Sequence, residues 1–108
     1  MSYILDNLYG IGLKNKIKEW NINVIDKNSY SLVVYYYGYL NSPKVECTKI
    51  IYSHNSDSAD NSHYQTAILY AQQKWKDKLE SGYNTDIECI RKKIKENNIH
   101  IKKVVLFY

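Results

Sequence analysis

Of the two Cys and three His in the chain, four are candidate donors for metal or thiol chemistry: Cys47, His54, His63 and Cys89. In number they could complete a tetrahedral site. Structural zinc, however, is usually gripped by closely spaced pairs such as C-x₂-C, and these four are scattered. Nucleophilic attack by Cys47 with His54 or His63 as its base would need a local motif that exposes and activates the thiol, and none surrounds it. No glycine-rich phosphate loop occurs either. The expectation is a non-enzyme with no cofactor and no metal, its two cysteines free thiols in a reducing compartment.

Two other groupings suit binding better than bond making. The first is Tyr35-Tyr36-Tyr37-Gly38-Tyr39, in which strand alternation puts Tyr35, Tyr37 and Tyr39 on one face while Gly38 leaves the opposite face open. Such a row is either core packing or a platform on which a base stacks. The second grouping is basic: Lys74, Lys76 and Lys78, then Arg91, Lys92, Lys93 and Lys95, with Lys102 and Lys103 beyond. Clustered lysines neutralise phosphates without reading sequence, although acidic neighbours such as Asp77, Glu80, Glu88 and Glu96 also fit an ordinary solvated helix face.

These residues must be held by one small fold. The chain has 108 residues, 44% hydrophobic and 24% charged, with one Pro and four Gly, a globular balance sufficient for a single core. No window approaches the roughly 18 apolar residues of a membrane span, and the N-terminal residues lack the pattern of a signal peptide, so an intracellular protein is expected. The net charge of +4 favours polyanions mildly.

Residues 17–25 alternate, with Trp20, Ile22 and Val24 on one side, and predict a half-buried strand. Before it, Asn7 to Ile11 reads as a short strand turning at Gly12 and Lys14-Asn15-Lys16 to form a hairpin. After the polar turn at residues 26–29, Tyr30 to Tyr39 predicts a central strand covered on both faces. Asn41-Ser42-Pro43-Lys44 breaks it, and Val45 to Tyr52 supplies another strand. Residues 54–62 read as a loop. Capping boxes at Ser62-x-x-Gln65 and Thr85-x-x-Glu88 open two helices. The first buries Tyr64, Ala67, Ile68, Ala71, Trp75 and Leu79 and ends at Gly82; the second places Ile87, Ile90 and Ile94 on one side. Residues 99–108 read as a terminal strand. The predicted class is α+β: an antiparallel β-meander with one long helix packed across it, plus a C-terminal short helix and strand, in a single domain spanning 1–108.

The segments NKIKEWNINV, SLVVYYYGYLNS and QTAILYAQQKWKDKLESGY resemble the WGR domain, whose pattern is a K-x-W-x-I strand, a strand ending in Trp-Gly-Arg, and a helix closing in K-x-x-G-Y. Trp20, Gly38, Trp75 and Gly82-Tyr83 carry the likeness, which covers residues 8–83 and leaves 84–108 as an extension. It is closest to the WGR-like module of phage and viral ATP-dependent DNA ligases, and more distant from that of poly(ADP-ribose) polymerases. The resemblance implies a curved antiparallel sheet crossed by one helix, and a role in contacting DNA or a neighbouring domain. The family's Trp-Gly-Arg falls on Tyr37, Gly38 and Tyr39, so the aromatic is kept and the arginine is lost. Asp57 and Asp60 stand in a loop that is usually basic in the ligase modules.

Two functions are expected from these patterns. The first is a nucleic-acid-binding accessory module, with duplex DNA ahead of RNA as partner, using Tyr35, Tyr37, Gly38 and Tyr39 with the lysines; the ligase likeness and the surplus of Asn, Lys, Ile and Tyr suggest a large DNA virus or phage, hence host cytoplasm or nucleus. The second is a protein interaction or homodimer module built on the tyrosine-rich face and the terminal strand. Neither a membrane nor a small-molecule substrate is expected.

Overall fold

The computed structural model describes residues 1–52 and 62–106, with side chains as far as residue 97. Five strands and two α-helices follow one another: β1 (Ser2–Ile4), β2 (Leu8–Ile11), β3 (Ile17–Asp26), β4 (Tyr30–Tyr39), β5 (Val45–Tyr52), α1 (Ser62–Glu80) and α2 (Ile87–Leu106). All strand pairs are antiparallel. β3, β4 and β5 form a meander through tight turns. β1 and β2 lie end to end along the remaining edge of β3, with Ser2 opposite Ile25 and Leu8 opposite Trp20.

The alternation of β3 has the effect expected of it: Trp20, Ile22 and Val24 are buried under α1 with Leu8 and Val33. Ala67 and Ala71 are fully buried, and their small side chains let the helix approach the sheet closely. Tyr64, Ile68, Trp75 and Leu79 complete the contact as predicted. The helix also stitches the break between β1 and β2. Trp75 Nε1 donates to the Asp6 carbonyl, and Gln72 Nε2 to the Tyr3 hydroxyl, each at 2.9 Å.

Gly82 ends α1 at φ +112°, where Tyr83 N donates to the Lys78 carbonyl and Gly82 N to that of Leu79, the paired bonds of a Schellman turn. The chain then joins the sheet edge: Tyr9 and Asn84 exchange two backbone hydrogen bonds of 2.8 Å.

Four expectations are corrected. The terminal strand is absent, because α2 continues as helix through Leu106. Asn97-Asn98 separates Glu96 from Ile99 without Gly or Pro, and this weaker stop signal does not interrupt helix propagation, which adds one hydrogen bond per residue. The cap of α2 is Asp86, whose Oδ1 accepts from Glu88 N at 3.0 Å, with Asn84 Oδ1 in turn accepting from Asp86 N. Thr85 is one residue too early. β4 is packed by a helix on one face only: on the other, Val34 is buried and Leu32 and Tyr36 half-buried among the neighbouring strands, Ile4, Ile50 and Tyr52 are exposed, and among the described residues no helix packs over them. Finally, Gly38 does not leave a space. A Cβ there would lie 3.0 Å from Lys44 Cδ and 3.1 Å from the Pro43 carbonyl oxygen, so the returning β4–β5 turn already fills it. The loop predicted at 54–62 falls, save for Ser62, outside the described residues.

Candidate nucleic-acid interface

Towards the C-terminal half of α1, a groove opens between the helix and the corner of the sheet where β3 begins, β4 ends and β5 begins. The helix residues that flank it, Tyr70, Lys74 and Lys78, each precede a core residue (Ala71, Trp75, Leu79) by one position, which at 3.6 residues per turn sets them about 100° around, on the flank facing β4 and β5. The groove encloses about 580 Å³, and its sheet wall is Trp20, Tyr35, Tyr37 and Tyr39 with Lys18 and Val45.

Glycines make this aromatic wall possible. Gly10 and Gly12 share the helix-side face with Leu8, and a Cβ at Gly10 would come within 3.0 Å of the Tyr83 ring, one at Gly12 within 2.6 Å of the Tyr39 ring. Two rings therefore lie over bare backbone. Trp20 and Tyr35 are 6.4 Å apart between centroids, and Tyr35 and Tyr37 6.5 Å apart with planes 23° from parallel. Tyr37 is 42% exposed and faces solvent across the groove.

The lysines stand over the rings. Lys49 and Lys74 place their ammonium groups 4.6 and 5.5 Å from the Tyr70 centroid; Lys18 and Lys78 are 5.6 and 5.3 Å from that of Tyr83. Lys78 is also 5.8 Å from the Trp20 ring, and Lys16 lies 5.9 Å from Tyr39. Such contacts hold a cation without neutralising it. Among the described residues the ion pairs are Lys44 with Glu19 at 3.5 Å and Arg91 with Glu88. Glu19 borders the groove, yet its carboxylate is engaged by Lys44, which also donates to the carbonyls of Tyr39 and Ser42 at 2.8 and 2.7 Å. The groove keeps a net positive rim.

Hydrogen bonding to Cys47, followed by the Coulombic effect of the Cys47 thiolate, raises the Tyr35 phenol above its ordinary value and so favours its neutral form. Tyr36, on the opposite face, is raised by its hydrogen bond to Glu46 and by that carboxylate's charge.

Of the eleven residues singled out in the sequence, six meet here: Tyr35, Tyr37, Gly38, Tyr39, Lys74 and Lys78. Lys76 does not line the groove, since it sits two residues from both lysines and two residues turn a helix by about 200°. Arg91, Lys92, Lys93 and Lys95 are exposed on α2, which packs against β2, and none of them lines the groove. Sequence reasoning missed Lys18, Lys49, Tyr70 and Tyr83 as parts of one site. Lys18 had a usable signal, since alternation puts it on the same strand face as Trp20; Lys49 depends on the pairing of β5 with β4, and Tyr70 and Tyr83 on how the helix lies across the sheet.

Of the scattered metal-type donors, Cys47, His63 and Cys89 are not brought together, and His54 lies outside the described residues. Among the described residues no group of three His, Cys, Asp or Glu side chains could hold an ion, Cys47 and Cys89 are free thiols, and His63 is buried in a hydrogen-bonded structural contact. No described helix is long and apolar enough to cross a membrane. No protein-family model matches the chain, and no curated protein or solved structure matches it.

Proposed function

We propose that this protein is a non-catalytic nucleic-acid-binding module of WGR-like character, with DNA as its partner. The observation that carries the reading is the groove itself, an aromatic wall with lysines around it that no described carboxylate neutralises. Aromatic faces accept bases of any sequence, and ammonium groups accept phosphates, so the combination suits a ligand that alternates the two. The WGR resemblance supports the same class of partner, as an analogy of pattern.

The test is a retardation panel of duplex, single-stranded and nicked DNA at several salt concentrations. Binding is expected to weaken steeply as salt rises. Replacing Lys74 and Lys78 together by Gln should flatten that dependence, whereas Lys76→Gln, outside the groove, should leave it unchanged. A folded protein that retains no nucleic acid at low salt overturns the proposal.

A second reading has its own observation. The uncovered sheet face with Ile4, Ile50 and Tyr52 suits a protein partner, including a second copy of the chain. Mass in solution, measured alongside the panel, distinguishes the two.

A further inference from the structure

The arrangement of charge within the groove narrows the ligand further, an inference that rests on the nucleic-acid reading above. The lysines are not spread evenly. Lys49 and Lys74 share the Tyr70 ring, while Lys18 and Lys78 share the Tyr83 ring. Between these two positive poles stand Tyr35 and Tyr37, over which no described lysine lies. Along α1 the distance from Tyr70 to Lys78 is eight residues, about 12 Å at 1.5 Å per residue.

We infer that the groove takes a short unpaired stretch of nucleic acid, about two or three nucleotides splayed beyond the stacked rise of about 3.4 Å, with phosphates at the two poles and a base on Tyr35 and Tyr37 between them. In a duplex the base faces are stacked against each other and only base edges and the sugar-phosphate backbone are outside, so a duplex could meet the rim but could not lay a base face on the rings. An unpaired strand offers both at once. The pairs of ammonium groups are already concentrated where phosphates would lie, and each pair relieves its own repulsion when an anion arrives. Each lysine would exchange a ring for a phosphate and leave the Tyr70 and Tyr83 faces open to flanking bases.

The experiment titrates the whole chain with oligothymidylates of increasing length, from the mononucleotide to about ten nucleotides, and with a blunt duplex, by calorimetry and by amide chemical shifts. Affinity should climb over the first few nucleotides and then level off, with shifts centred on the groove. Tyr37→Leu, at a half-exposed position that tolerates change, should weaken the plateau complex by about 5- to 150-fold at every salt concentration. Lys49→Gln with Lys74→Gln, and Lys18→Gln with Lys78→Gln, should each reduce the logarithmic salt slope by about 0.7 per phosphate lost. Equal or tighter binding of the blunt duplex, or a Tyr37→Leu protein that binds normally, would overturn the inference while leaving a nucleic-acid function standing. Failure of every oligonucleotide and the duplex to bind would remove both.

Discussion

His63 is 1% exposed, and both of its ring nitrogens are used. Nε2 donates to the Asn28 carbonyl at 2.8 Å, which leaves Nδ1 to accept from the Ser31 hydroxyl, also at 2.8 Å. The ring thereby ties the first turn of α1 to the β3–β4 turn, where Asn28 takes a positive φ of 75° and its N donates to Asp26 Oδ1. Replacing His63 by Ala strands a buried hydroxyl and a carbonyl and leaves a cavity; a loss of about 2–4 kcal/mol is expected in denaturant unfolding. Tyr36 offers a second test at this scale. Its folded phenol is raised by Glu46, so the neutral form is favoured in the native state. The stability this contributes is fully present below the ordinary tyrosine value near pH 10 and is lost as pH rises through the raised folded value. Melting temperatures of the protein and of Tyr36→Phe, compared from neutral to strongly alkaline pH, should therefore converge as pH rises.

At the level of elements, the turn that ends α1 and the cap that starts α2 lie within five residues of each other and fix where Tyr83 stands. Asp86→Ala removes the acceptor for Glu88 N and should cost about 1 kcal/mol, while Thr85→Ala should change little. Thermal unfolding of the two variants separates the observed cap from the one that sequence pattern favours. Most of the strands are legible in the sequence: β3 is set by alternation, β4 by its run of β-branched and aromatic residues and β5 by the break before it, with Asp, Asn, Ser and Pro in the turns between them, and these local signals outlast tertiary context. β1 is not legible, because three residues are too few to show a period and they are strands only through pairing with β3. The terminal segment misleads for the opposite reason. Its β-branched residues favour a strand, but the preference is a few tenths of a kcal/mol per residue and does not stop a helix already under way.

At the scale of the molecule, the structure is a single-layer sheet with a helix on one side, and α2 anchored at its edge through Ile90, which is fully buried. If that anchor belongs to the common core, Ile90→Ala should lower the whole unfolding transition by about 2–5 kcal/mol without splitting it. Followed by fluorescence and by circular dichroism, the two probes should report the same midpoint. On the uncovered face, by contrast, Ile50 is 45% exposed, and Ile50→Thr is expected to stay within about 0.5 kcal/mol of the parent protein. The groove's existence could not be read from the sequence. The tyrosines and the helix lysines are visible there as separate groups, yet bringing them together depends on how closely Ala67 and Ala71 draw the helix to one end of the sheet.

The bare strip at Gly10 and Gly12 has a consequence for how this chain can vary. Because Tyr83 occupies the space a side chain at position 10 would need, and Tyr39 that at position 12, each glycine and its ring are one decision made at two places in the sequence. Gly10→Ala and Tyr83→Ala should each be harmful alone, and their combination less harmful than the sum, with a coupling of about 0.5–3 kcal/mol in a double-mutant cycle. In any set of descendants of this chain, positions 10 and 83 should therefore drift together, and positions 12 and 39 likewise, so that a gain of bulk on the strand is answered by a smaller partner across from it.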